Sequence, residues 1–159
     1  MQIIKLVLLL VIFTEFAFGQ PETAKQPFEI LITTDLTTVR AGDPIPIKVA
    51  LTNTSGKDLN VSGGFDRQTG LRSSHSYEIR GPSGTLIPKK PHKQNGPLTG
   101  SVIFETLGAG ESSLQVEDIS RAYDLNQPGR YVIQVSRAVP GDPKHAVVKS
   151  NTIVITVTP

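Results

Sequence analysis

The histidines are the residues of this chain best suited to bind a metal ion or to act as a general base, and the sequence spaces them widely. His75, His92 and His145 lie in three separate segments, and none belongs to a helical repeat such as H-E-x-x-H. His75 lies among serines, but no G-x-S-x-G elbow is present to make one of them a nucleophile. We therefore expect solvent-facing histidines in loops, and no catalytic residue.

Two further motifs contain residues that could bind a phosphate group or a metal ion. The stretch GAGESS at 108–113 is rich in glycine but lacks the lysine and the following helix of a phosphate-binding loop, so we interpret it as a turn between strands. Glu117, Asp118 and Asp124 could offer oxygen ligands to calcium, yet they follow no known loop spacing, and we expect solvated acids. The sequence thus predicts no enzyme, no cofactor and no metal site.

Two segments are longer than a connection between strands requires, and their side chains could contact a partner. Residues 62–74 place an aromatic ring and two guanidinium groups among glycines, and residues 88–100 concentrate lysines between prolines. Long loops on a rigid scaffold often carry binding residues, although they can also be plain solvated connections. The candidate partner-binding residues are Phe65, Arg67, Arg72, Lys89, Lys90, His92 and Lys93.

The elements that would position these loops are β-strands. Apolar and polar residues alternate along nearly the whole chain after residue 27, and no stretch keeps an apolar stripe at helical spacing. Inward faces are predicted for Phe28, Ile30 and Ile32, for Ile45, Ile47, Val49 and Leu51, for Tyr131, Ile133 and Val135, and for Ile153, Ile155 and Val157. Shorter strands are expected around 59–61, 77–79, 102–106 and 114–116. The fold class is therefore all-β.

The stretch YDLNQPGRYVIQV, residues 123–135, contains two residues with predicted structural roles. Pro128 and Gly129 make a turn, because proline presets φ and glycine accepts a positive φ. Tyr131 then stands either at a tyrosine corner, with its hydroxyl bonded to the preceding backbone, or as an ordinary half-buried tyrosine at the start of a strand.

Short strands separated by Gly, Pro and Asn turns are typical of a Greek-key sandwich of about seven to nine strands. The segments IPIKVALTNTS, YDLNQPGRYVIQV and SNTIVITVT together resemble the immunoglobulin-like β-sandwich accessory domains of secreted bacterial proteins. The resemblance extends from about Phe28 to the last residue and contains no catalytic motif. The cysteine pair and the core tryptophan of antibody domains are both missing.

The first 19 residues have the layout of an export signal. Lys5 supplies the positive charge, residues 6–13 form an apolar run too short to be a membrane anchor, and Ala17 and Gly19 are small residues before the expected cleavage site at Gly19–Gln20. The predicted organisation is a signal peptide (1–19), a short extension (20–27) and one domain (28–159). A secreted or periplasmic location follows, and the lack of cysteine favours a bacterial envelope.

Charge and export together limit the function classes. A formal net charge of +2 is well below that of a nucleic-acid-binding domain. The leading hypothesis is a non-enzymatic binding or structural module that recognises a protein or an anionic envelope polymer through its loops. The alternative is a secreted protease inhibitor that inserts Phe65 or the lysine-rich loop into an enzyme cleft. The sequence leaves the oligomeric state open.

Overall fold

The computed structural model describes residues 26–91 and 101–159. The predicted signal peptide, most of the predicted extension, His92 and Lys93 lie outside the described residues. The strands are β1 (Phe28–Thr33), β2 (Thr38–Arg40), β3 (Pro46–Asn53), β4 (Leu59–Asn60), β5 (Gly63–Phe65), β6 (Ser76–Arg80), β7 (Ser101–Ile103), β8 (Thr106–Leu107), β9 (Ser112–Asp118), β10 (Gly129–Ala138) and β11 (Val147–Thr158). A single 3-10 turn, Ile119–Arg121, connects β9 towards β10 within the described part of the chain.

Seven strands form the two sheets of an immunoglobulin-like sandwich. One sheet has the order β1-β3-β9 and the other has the order β2-β11-β10-β6. All pairings in these sheets are antiparallel except that of β2 with β11, which is parallel. The remaining four strands form two short ladders, β4-β8 and β5-β7. The predicted all-β, immunoglobulin-like class is confirmed.

The core lies between the two sheets and is built by alternating side chains, as the sequence predicts. Ile47 and Val49 of β3 and Tyr131 and Ile133 of β10 are all buried in one hydrophobic cluster. Burial of aliphatic and aromatic surface is the main stabilising contribution available to a chain without cysteine. Because both sheets contribute to this cluster, neither sheet has a core of its own.

The corner before β10 has the geometry of a tyrosine corner. The Tyr131 ring is fully buried, and its hydroxyl donates a hydrogen bond of 2.8 Å to the carbonyl of Gln127. Gly129 has a φ of 137°, and a Cβ at this position would lie 2.6 Å from Pro82 Cγ. Glycine is therefore required at position 129 for both conformation and space. The hydrogen bond of the Tyr131 hydroxyl supports the tyrosine corner over an ordinary half-buried tyrosine.

Strand β9 does not follow the pattern of the other long strands. Leu114 and Val116 are 65% and 64% exposed, whereas Glu117 of the same strand is 1% exposed. The expectation that Glu117 is a solvated acid was wrong. The strand turns its polar residues towards the interior, and Glu117 is satisfied there by His75, Tyr77 and the Arg72 amide.

Residues 62–74 contain β5 and form a hydrogen-bonded hairpin, so the expectation of a loop over the whole of this segment was wrong. The Asp66 amide donates to the Leu71 carbonyl at 3.0 Å, and the Ser73 amide donates to the Gly64 carbonyl at 2.8 Å. Gly70 makes the turn with a φ of 72°. No helix among residues 26–91 and 101–159 is long and apolar enough to cross a membrane.

Candidate functional site

The two segments selected from the sequence meet at one end of the sandwich, around the 3-10 turn. Lys89 Nζ lies 3.3 Å from Asp66 Oδ2 of the hairpin, and the backbone of Lys89 forms a β-bridge with Tyr123. The Lys90 amide donates to the Ala122 carbonyl at 2.7 Å, and Lys90 Nζ donates to the Ser120 carbonyl at 2.8 Å. The described start of the lysine-rich segment is thus fixed on the fold by its backbone.

The hairpin is attached to the same turn from the other side. Arg121 donates from its guanidinium to the Gln68 carbonyl at 3.2 Å and packs closely over Gly70. Arg67, in the same hairpin, is exposed. We call the exposed cationic surface made by these two segments and the turn the basic end, and its residues are Arg67, Lys89, Lys90 and Arg121.

Asp66 is an acidic residue of the hairpin that lies next to the basic end. Burial opposes ionisation of its carboxyl, but hydrogen bonds from Thr69, from the Gln68 backbone and from Lys89 together lower its pKa. Asp66 is therefore an anion at neutral pH and holds Lys89 in place. Beside Lys90 lies a groove of about 260 Å³, with Asp43 and Asn126 in its lining.

Two candidate residues do not contribute to this surface. The Arg72 side chain is 6% exposed, pairs with Glu105 at 3.0 Å, and lies 5.4 Å above the centroid of the Phe65 ring. Phe65 belongs to β5 and forms a β-bridge with Arg72, so this cation–π pair closes the hairpin. Arg72 is interior rather than available to a partner, and Phe65 does not project from a loop tip.

A buried polar cluster, which the sequence analysis missed, surrounds Glu117. One carboxylate oxygen lies 2.8 Å from His75 Nδ1, and the other accepts a hydrogen bond from the Tyr77 hydroxyl and one of 3.4 Å from the Arg72 amide. The His75 side chain is only 3% exposed, so the expectation of a solvent-facing histidine was wrong for this residue. Burial and the adjacent Glu117 carboxylate raise the pKa of the Tyr77 phenol, which stays a neutral donor.

The geometry of this cluster supports a structural role. The cavity next to it, lined by Arg72, His75, Glu105 and Gln115 among others, measures about 10 Å³. Such a volume holds no more than about one water molecule, so this cavity has no room for a substrate beside His75. Within residues 26–91 and 101–159, no cluster of three His, Cys, Asp or Glu side chains could hold a metal ion.

The signal for this cluster was weak in the sequence. Glu117 is opposite Ile47 in the register of β9 with β3, so the alternation of β3 places it inward once the pairing is known. Its partner His75 is 42 residues away along the chain. The pattern within β9 alone, with Leu114 and Val116 as its apolar residues, indicates the opposite face.

Comparison with known proteins shows a similarity in fold pattern and nothing more. One similar structure is the solution NMR structure of the CARDB domain of a protein from Pyrococcus furiosus, at 14% identity and a TM-score of 0.44. The similarity covers 83% of this chain and 94% of that chain. No protein-family model matches the chain, and no curated protein matches it either. A likeness at this level carries no information about function.

Proposed function

We propose that this protein is a non-enzymatic binding module that recognises an anionic partner through its basic end. The partner class is an acidic protein surface or an anionic envelope polymer, and the site of action is outside the cytoplasm, as the signal-like first 19 residues predict. The likeness of the strand segments to accessory domains of secreted bacterial proteins favours the same role. The supporting observation is the contact between Lys89 and Asp66, which joins the two segments into one surface.

The backbone of Lys89 and Lys90 is attached to the rest of the fold, and this attachment lowers the entropic cost of binding a partner. Lys89 and Lys90 are held by the bridge to Tyr123 and by the bond to the Ala122 carbonyl, so their backbone is already ordered. A binding surface that is ordered before it meets its partner loses less conformational entropy on association. The hydrogen bond from Arg121 to Gln68 orders the second side of this surface in the same way.

Charge gives the interaction its expected salt dependence. The basic end has four cationic side chains, one of which, Lys89, lies 3.3 Å from the Asp66 carboxylate. Cations that are close together repel one another, and an anionic partner relieves that repulsion. Because these charges are exposed, salt at physiological concentration screens them strongly, and affinity should fall as ionic strength rises.

The test measures binding of the purified protein to poly-L-glutamate and to a phosphate-bearing teichoic-acid polymer at low and moderate salt. The double variant Lys89→Ser/Lys90→Ser should bind roughly three- to tenfold more weakly at low salt and show a smaller salt slope. The matched control is Lys57→Ser/Lys144→Ser, which removes the same charge from exposed positions beyond the ends of β3 and β10. Equal affinities for the two double variants would contradict the proposal.

A protease inhibitor receives no support from the described residues. The alternative needed Phe65 or the lysines at the tip of an insertable loop, whereas Phe65 lies in β5 beneath Arg72. Lys89 and Lys90 are tied to the 3-10 turn by their backbone. We therefore propose the anionic-partner function alone.

A further inference from the structure

The outer face of the three-stranded sheet has an apolar row that ends at an open edge. Leu31 of β1, Ala50 of β3 and Leu114 of β9 are aligned across the sheet by the strand register, and Val116 lies two residues along the edge strand. Leu31 is 54% exposed. Apolar side chains that line an edge strand are a surface for association with another strand.

The edge of β9 is also free in its backbone. Beyond its ladder with β3, no backbone hydrogen bond among the described residues reaches Ser112–Asp118. The Ile119 amide donates to the Ile45 carbonyl, and the Glu111 carbonyl accepts from the Asn53 amide, so the odd-numbered residues of β9 bond to β3. In an antiparallel ladder the residues of a strand alternate between bonding to the neighbour and facing away from it. The amides and carbonyls that face away from β3 are therefore those of Ser112, Leu114, Val116 and Asp118.

The other long edge strands are covered. On the free side of β1, the Asn151 side chain bonds to both the amide and the carbonyl of Ile32, at 2.8 and 3.0 Å. On the free side of β6, the Ile87 amide donates to the Ile79 carbonyl at 2.8 Å. Strand β9 has no cover of this kind and no proline, lysine or register shift, which are features that prevent edge pairing. Its charged residues, Glu117 and Asp118, lie together at its last two positions.

We propose that β9 pairs with β9 of a second copy of this chain, in an antiparallel dimer centred on Gln115. In that register Leu114 of one copy is opposite Val116 of the other, and Ser112 is opposite Asp118. Every free backbone group of the edge then meets a free group of the partner strand. The two three-stranded sheets become one six-stranded sheet with an apolar strip across the join.

Charge favours this register over a parallel one. The acids of β9, Glu117 and Asp118, lie at one end of the strand, and serines lie at the other. Antiparallel pairing places each acid opposite a serine of the second copy, whereas parallel pairing places the acids of the two copies side by side. A two-fold axis through Gln115 also satisfies the closed symmetry that most homodimers have.

The first test is the oligomeric state of the purified protein, measured by sedimentation equilibrium over a range of concentrations. We expect a monomer–dimer equilibrium that Leu114→Lys weakens by at least about tenfold, because two lysines then face the join. Val116→Pro should do the same by removing a free amide, while the monomer keeps its fold, since proline is tolerated on a free edge. Leu31→Lys, on the same face but two strands away, is the matched control and should leave the equilibrium unchanged.

The second test uses the absence of native cysteine. A mixture of Leu114→Cys and Val116→Cys proteins should form disulfide-linked dimers faster than either variant alone, and Leu31→Cys should form none by this route. Dimers that persist in both edge variants, or that Leu31→Lys disrupts, would overturn the proposal. So would a wild type that stays monomeric over the whole concentration range. In that case, slow hydrogen exchange of the Leu114 and Val116 amides, which face away from β3, would show that another segment of the same chain covers the edge.

Discussion

Glu117 is a polar residue whose removal should cost much stability. Its carboxylate is buried against His75, Tyr77 and the Arg72 amide. Glu117→Ala leaves these donors without their acceptor in a buried site, so we expect the free energy of unfolding in urea to fall by about 3–5 kcal/mol. Glu78→Ala, which breaks an exposed pair with Arg80, is the control and should change it by about 1 kcal/mol or less. Similar losses for the two variants would show that the buried cluster contributes little.

Tyr77 gives the protein a predicted sensitivity to alkaline pH. Burial, and secondarily the charge of Glu117, raise the pKa of its phenol above the ordinary value of 10.0. Above about pH 10 the unfolded chain releases this proton and the folded chain keeps it, so the free energy of unfolding falls as pH rises. Tyr77→Phe removes the titrating group, and its stability should fall less steeply over that range. Equal slopes, measured by urea unfolding at several pH values, would contradict this.

At the same scale, the corner bond of Tyr131 can be separated from the packing of its ring. Tyr131→Phe keeps the buried ring and removes only the hydrogen bond to the Gln127 carbonyl, so we expect a loss of about 0.5–1.5 kcal/mol. Tyr131→Ala also removes the ring and should cost about 3–5 kcal/mol. A neutral Phe variant, in thermal and urea unfolding, would mean that ring packing alone matters.

At the scale of elements, prediction from sequence succeeded where one strand contains its own signal. The faces of β3 and β10 follow from alternation, because apolar side chains alone decide which side is buried. The face of β9 depends on His75 and Tyr77, which are distant in sequence, and local alternation gives no sign of them. The lysine-rich segment was recognised by composition, but its meeting with the hairpin depends on the Lys89–Asp66 contact, which only the tertiary fold creates.

The turn that leads into β10 tolerates little change at Gly129. At Gly129 a side chain meets both a positive φ and the ring of Pro82. Gly129→Ala should therefore lower the unfolding free energy by about 1–3 kcal/mol, through backbone strain together with displacement of Pro82. Gly141→Ala is an informative comparison, because that glycine also has a positive φ but nothing within 4 Å of its Cβ position. If the two variants lose the same stability, the contact with Pro82 adds nothing.

At the scale of the whole molecule, the shared core should make the two sheets unfold together. Ile47 of the first sheet and Ile133 of the second are both fully buried in the same cluster. Replacement of either by Ala should cost about 2–5 kcal/mol, the range for truncating a buried aliphatic side chain. Because the chain has no cysteine, a reducing agent should not change these values.

Native-state hydrogen exchange tests whether that cooperativity is real. If the sandwich is one folding unit, Ile47→Ala should lower the protection free energy of the slowest amides in β3 and in β10 by the same amount. This should hold even though β10 belongs to the other sheet. The control is Val154→Ala, on the outer face of β11, which should change both by less than about 0.5–1 kcal/mol. Loss of protection confined to the first sheet would show that the sheets open separately. The basic end would then be attached to a scaffold that opens in parts, because Leu71 of the hairpin and Ile119 of the 3-10 turn belong to this shared core.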